Sequence, residues 1–343
     1  MKWFLGCVRL YFRFAVIFLP AAFLISCSEG SSLSEKAFIV PEKIRLKSST
    51  AQAARVVGEL KSGDQVMVTD RENDEDGDNW SKVKGPNGES GWVESRYLVK
   101  QEIVEKSRKI ADEIKDIPTQ AIGRSKATLK LRLAPDRSDD DNVATLLPLG
   151  TALEIVARER KPRPATTDNK GDNKGETKED SDNNVKYDNW YEVRLKDYAV
   201  LPAGWIYGGS VELEVPPEIV YFVSTGRRIT GWQKIGTVTG EDSKSGDHFL
   251  VMERKNSGGD EGVDFDRVKV LAYDPQSRDY STPFREDIAG RFPVTMKMNG
   301  TRGHFQLIAV DKNGQEQKLT YTVEMLDGGK VKVTKPFKNN TAK

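Results

Sequence analysis

The chain has 343 residues, with 53 Lys and Arg against 52 Asp and Glu and a formal net charge of +1. A balance this even creates no field for a nucleic acid or another polyanion, so partners held by bulk charge are excluded. Only Cys7 and Cys27 are cysteines, which leaves the rest of the chain without a thiol for a disulfide, a zinc knot or a nucleophile. About 300 residues beyond the N-terminal leader suffice for two or three domains, stable from their cores alone.

The first element is the leader itself. Lys2, Arg9 and Arg13 form a positive head, followed by an apolar run from Phe14 to Ile25 broken only by Pro20. This is the pattern of a secretory signal, and its roughly a dozen apolar residues are too few to span a hydrocarbon core of about 30 Å. It ends in Leu24-Ile25-Ser26-Cys27, which resembles the lipobox of bacterial lipoproteins. The resemblance implies removal of residues 1–26, diacylglycerol on the Cys27 thiol and attachment to a membrane. Each buried CH₂ contributes roughly 0.8 kcal/mol and two chains make a lasting anchor. A cut near Ala21-Ala22, or an uncleaved anchor, is the alternative. Ser28 stands where an Asp retains some lipoproteins at the inner membrane, so the expected site is the outer membrane, on its periplasmic face or at the cell surface. Residues 27–36 read as a Ser/Gly-rich tether.

One pattern then occurs twice, in residues 37–100 and 123–214. The first copy contains Ile44-Arg45-Leu46, Leu60-Lys61-Ser62-Gly63, Val66-Met67-Val68, Asn79-Trp80-Ser81-Lys82-Val83, Gly91-Trp92-Val93 and Tyr97-Leu98. The second contains Leu131-Arg132-Leu133, Leu147-Pro148-Leu149-Gly150, Leu153-Glu154-Ile155, Asn189-Trp190-Tyr191-Glu192-Val193 and Gly204-Trp205-Ile206-Tyr207. Each reads as five short strands of a small bent barrel, with Gly supplying positive φ after Leu-x-x. The Gly before each second Trp is expected to bend the chain so that the ring closes the barrel end.

Both copies resemble bacterial SH3 (SH3b) domains, which carry an early Leu-Arg, a Leu-x-x-Gly, an Asn-Trp-x-x-Val and a late Gly-Trp. Copy one departs at Ser81, where an aromatic often follows the first Trp. Copy two keeps Tyr191 there and departs by an insertion before Trp190. The resemblance implies binding rather than catalysis, in many relatives toward cell-wall peptides or glycans. The candidate ligand-binding residues are Trp80, Trp92, Tyr97, Trp190, Tyr191, Trp205 and Tyr207. Their bland alternative is barrel closure; the sharper one is a shallow aromatic groove.

The insertion, residues 161–184, is almost wholly polar after Pro164 and is expected to be a disordered loop. The acidic stretch through Asp70, Asp74, Asp76 and Gly77 has a calcium-loop look, but Val83 stands where the closing Glu is required, so a solvated turn is expected. Between the copies, residues 101–118 read as a linker helix with Ile103, Ile110, Ile114 and Ile117 on one stripe and Pro118 ending it.

Residues 218–337 form a further unit with period-two strands from Phe249 to Val333 and hairpin dipeptides at Asn313-Gly314 and Asp327-Gly328. The expected fold class is therefore mainly β: two small SH3-like barrels joined by a short helix, plus a C-terminal antiparallel β-sandwich or barrel.

Candidate catalytic residues are absent from this reading. His248 and His304 are the only histidines, and neither has the companions of a zinc site or a Ser-His-Asp triad. A carboxylate-pair glycosidase stays open on residue type alone. The expectation is a lipid-anchored, non-catalytic envelope protein without cofactor or metal, its barrels binding peptidoglycan or envelope partner proteins. A surface lipoprotein binding host or matrix molecules, and a hydrolase in the C-terminal unit, are the alternatives.

Overall fold

The computed structural model describes residues 35–74, 76–163, 187–256 and 262–336. Cys27, the leader and most of the charged insertion lie outside the described residues. The first barrel comprises β1 (Glu35–Ile39), β2 (Lys43–Lys47), β3 (Val56–Lys61), β4 (Gln65–Asn73), β5 (Asn79–Lys84), β6 (Ser90–Glu94) and β7 (Leu98–Lys100). These seven strands pair in the order β3-β2-β6-β5-β4-β1-β7. Ile39, Leu46, Leu60, Val68, Val83 and Val93 fill its interior.

After helix α1 (Gln101–Ile114), the second barrel comprises β8 (Ala121–Ser125), β9 (Leu129–Arg132), β10 (Val143–Leu147), β11 (Ala152–Pro162), β12 (Tyr187–Arg194), β13 (Ala203–Tyr207) and β14 (Val211–Leu213). Its order, β10-β9-β13-β12-β11-β8-β14, repeats the first barrel strand for strand. Each copy thus has seven strands, not the expected five. The extra pair in each barrel is one strand ahead of the repeat and one of three residues, too short to show alternation. Lys161 and Pro162, expected to begin the disordered insertion, instead end β11 and pair with Asp188 and Tyr187 of β12.

Equivalent glycines confirm the correspondence. Gly63 and Gly150 have φ of 87° and 82°, and their amides donate to Ile39 O and Ser125 O, both at 2.9 Å. The glycines before tryptophan serve differently from the expected bend. Neither has positive φ; a Cβ on Gly91 would lie 2.8 Å from Leu46 Cβ, and one on Gly204 2.7 Å from Arg132 O. They let β6 and β13 pass close to β2 and β9. The first strands also align differently from the sequence reading. Lys47 faces Trp92 and Arg132 faces Trp205, so Leu46-Lys47, not Ile44-Arg45, corresponds to Leu131-Arg132. Alternating apolar residues fit either register; only the strand partner decides.

Helix α1 packs on both barrels. Its fully buried residues are Val104, Ser107 and Ile114, while Ile103, Ile110 and Ile117 are partly buried. Ser107 Oγ donates to Ala203 O at 2.6 Å, a buried bond no hydrophobic stripe discloses. The helix ends one turn before Pro118, where Arg194 donates to the carbonyls of Ile114 and Ile117 at 3.0 and 2.9 Å. A cation satisfying the last carbonyls is a standard helix stop.

The short helix α2 (Pro217–Val220) leads into the C-terminal unit. One sheet holds β15 (Arg227–Thr239), β16 (Ser245–Lys255), β17 (Arg267–Asp274) and β18 (Asp279–Glu286). The other holds β19 (Gly290–Asn299), β20 (Arg302–Val310), β21 (Glu316–Met325) and β22 (Val331–Thr334). Both are antiparallel meanders in chain order, forming a sandwich around Leu250, Val268, Val270, Phe305 and Tyr321. Phe305 and Tyr321 stack with centroids 4.6 Å apart.

The sandwich does not stand apart from the barrels. Seven consecutive residues of β16 are buried, which requires cover on both faces of the sheet. The outer cover is the second barrel: Phe249, Val251, Leu271 and Trp232 join one apolar cluster with Leu131, Leu147 and Ile155 of that barrel and with Val99 and Val104. Lys269 and Glu253 form a buried ion pair at 2.5 Å on this face, and Ser224 donates to Glu253 from its amide and hydroxyl at 3.1 and 2.9 Å. These bonds pin the segment after α2 onto the sheet. Among the described residues, no helix is long and apolar enough to cross a membrane.

Candidate binding surface on the barrels

Residues directly opposite on neighbouring strands share a face of the sheet. Lys82 faces Trp92, and Trp92 faces Lys47, so Trp80, Lys82, Trp92 and Lys47 form one face. The alternate residues Val83, Val93 and Leu46 fill the core. The indoles therefore cover the outer side of the first barrel instead of closing its end. Both are nonetheless buried, and the turn that carries Asp74 is bonded to Trp80. Trp80 Nε1 donates to Asp74 Oδ2 at 2.8 Å, and Lys47 Nζ lies 5.0 Å from its ring centroid. Asp74 Oδ1 also accepts from the amides of Asp76 and Asp78 at 3.1 and 2.8 Å. The Trp80 N–H, followed by these amides, holds the Asp74 carboxyl below its usual range. The acidic stretch is thus a hydrogen-bonded turn sealing Trp80.

The second barrel repeats the arrangement. Trp190 faces Tyr207, and Glu192 faces Trp205, which in turn faces Arg132. Trp190 is 2% exposed and meets Tyr207 edge to face at 6.1 Å and 72°. The Arg137 guanidinium lies 4.7 Å from the Tyr207 centroid, and Arg137 and Arg163 both approach the buried Asp188 carboxylate at 3.0 Å. Arg132 donates to Asp139 O, Asn142 Oδ1 and Asp140 Oδ1 at 2.7, 2.6 and 2.8 Å, tying the β9–β10 loop down beside Trp205. Burial, with Glu113 and Glu159 nearby, pushes the Glu192 carboxyl up to about 7.

Of the seven expected residues, Trp190, Trp205 and Tyr207 lie together on the outer face of the second barrel, and Trp80 and Trp92 on that of the first. Tyr97 lies apart, in a shallow cleft with Lys43 and Arg45, under the Arg96 guanidinium at 5.1 Å. Tyr191 points the other way: it faces Arg158 and Ile206 across the strands and packs into the cluster shared with the sandwich. Burial raises its phenol pKa. Its counterpart Ser81 is buried in the first barrel and bonds Ser95 Oγ at 2.7 Å. Trp205 and Tyr207 keep partial exposure and Arg137 is exposed, so these three are accessible on this face. Arg132 was legible only as part of the early Leu-Arg, and Arg137 and Asp188 carried no sequence signal, since the partners of all three are set by strand register and loop closure.

The histidines have no such company. His248 is buried and its Nδ1 accepts from the Tyr273 amide at 3.0 Å; burial lowers its pKa, against a smaller opposing effect of Asp247. His304 lies in β20 on the sheet face opposite Phe305.

A seven-stranded, strongly bent antiparallel sheet with outer tryptophans, present twice, defines a protein built from SH3-like barrels. Residues 43–99 match the family model of the bacterial SH3 domain, and this segment is one such domain. Comparison of the chain with curated proteins finds no match.

Proposed function

We propose that the chain is a lipid-anchored cell-envelope protein whose two barrels are non-catalytic binding modules for peptidoglycan or envelope partner proteins. The observation that carries this reading is the bacterial SH3 match over residues 43–99, together with the identical strand order of the second barrel. On this reading the second barrel is a diverged bacterial SH3 domain, and two weak sites on one chain gain from linkage. The half-exposed Trp205 and Tyr207 are its contact residues, as flat rings bind peptide or sugar at little cost in side-chain entropy. The lipobox-like Leu24-Ile25-Ser26-Cys27 supports the anchor.

The test is co-sedimentation of the chain lacking residues 1–26 with purified sacculi. Pelleting is expected, with a several-fold loss in a Trp205→Ala, Tyr207→Ala double variant that melts like the native protein. Absence of pelleting at every salt concentration removes peptidoglycan as the ligand. For the anchor, Cys27→Ser is expected to abolish metabolic labelling with a radioactive fatty acid.

A further inference from the structure

A cleft of about 1000 Å³ opens where α1, the second barrel and the sandwich meet, bordered by Ile117, Arg194, Tyr198, Met296 and Lys318. Past Pro118, Thr119 and Met296 it continues into a groove of about 490 Å³ along Trp232 and Phe249. Two independent features of this junction point to the same kind of ligand.

The first is an open strand edge. Among the named strands β19 pairs with β20 alone, and past the bridge of its first residue Gly290 to Phe265 its other edge has no strand partner among the described residues. Its Val294 amide donates to Gln120 Oε1 at 2.8 Å, and its carbonyl accepts from Gln120 Nε2 and Gln233 Nε2 at 3.0 and 2.5 Å. The polar groups of Val294 therefore face away from β20. In an antiparallel strand that direction recurs at every second residue, so Met296 and Met298 present their N–H and C=O on the same side. Among the described residues neither has a backbone partner there. The Gln120 amide occupies the first rung of a ladder whose next two rungs are open.

The second feature is charge. Lys115, Lys196, Lys297 and Lys318 line the cleft against Asp116 and Glu154. Glu154 is already paired with Arg194 and Lys196. Lys115, Lys297 and Lys318 are exposed and enter no ion pair among the described residues. The surplus is cationic and lies beside the open edge.

We infer that this junction takes an extended acidic peptide segment of a partner protein, added as a strand to β19. Its main chain pairs with Met296 and Met298, and its carboxylates meet Lys297, Lys318 and Lys115. Strand addition supplies affinity from the backbone and selectivity from alternate side chains. This site is separate from the barrel surface above and stands whether or not the barrels bind peptidoglycan.

The experiment is fluorescence anisotropy on the full chain with a fluorescein-labelled heptapeptide alternating Glu and Val. Saturable binding is expected, at least tenfold weaker for the Lys297→Glu, Lys318→Glu double variant and at least tenfold weaker for a peptide N-methylated at alternate amides. The matching Lys/Val peptide should not bind. The inference is overturned if the acidic peptide shows no saturable binding, or if the charge-reversed variant binds it equally with native melting. It is also overturned if N-methylation has no effect, or if free glutamate competes at the same concentration as the peptide, which would mean a small-anion site only.

Discussion

Gly91 and Gly204 lie beside the tryptophans at equivalent points of the two barrels, where one methyl group would meet a neighbouring strand at 2.8 or 2.7 Å. Overpacking of this kind costs about 1–3 kcal/mol, so Gly91→Ala and Gly204→Ala should each lower the urea midpoint without changing its slope. A neutral result at either position would mean that β2 or β9 yields. At Asp74 the carboxylate is the buried indole's acceptor. Because its pKa is depressed in the fold, its contribution is present above the usual carboxylate range and lost as pH falls through the lowered value. Asp74→Ala should speed hydrogen exchange of the Trp80 indole N–H; unchanged exchange would show that the loop seals the ring without it. Glu192 has the opposite sign. Its folded pKa of about 7 exceeds the ordinary 4.5, so its contribution is full below about 4.5 and disappears as pH rises to 7. Solvent screening of a half-buried group limits this to about 1 kcal/mol. Glu192→Gln should raise stability by that amount at pH 8 and leave it unchanged at pH 4, in denaturant melts at both values.

Among the elements, the strands that decide the architecture were the least readable. β15 carries Trp232 and Gln233 into the domain junction, but bulges between Ile229 and Gly231 and between Lys234 and Gly236 interrupt its alternation. β18 is mostly exposed and contains Pro283, as an edge strand tolerates. Gln120, just ahead of β8, is wholly buried. Its amide serves Val294, its own carbonyl accepts from the Trp232 amide at 2.8 Å and its amide N–H donates to Ile155 O at 2.8 Å. Gln120→Ala would strand the N–H of Val294 in a buried place, costing about 1–3 kcal/mol. The expected readout is faster amide exchange at Val294 and Trp232 together; protection retained at both would show that water replaces the side chain.

At the scale of the whole molecule, one apolar cluster runs from Val99 and Val104 through the second barrel to Phe249 and Leu271, whereas the first barrel also keeps a core of its own. The second barrel and the sandwich should therefore unfold in one calorimetric transition, with any separate transition belonging to the first barrel. Independent melting of the sandwich would contradict the shared core.

The repeat, the turn glycines, the linker helix and the hairpins at Asn313-Gly314 and Asp327-Gly328 were legible because each depends on local periodicity or on a backbone angle that only certain residues adopt. So was the pairing of Trp80 with Trp190 and of Trp92 with Trp205, since a repeated motif fixes correspondence without coordinates. The side of the sheet on which those rings lie, the turning of Tyr191 toward the sandwich, and the clamp at Gln120 were decided only by tertiary structure. Each depends on which distant strand or loop lies opposite, and alternating residues carry two faces without saying which one the rest of the chain will cover.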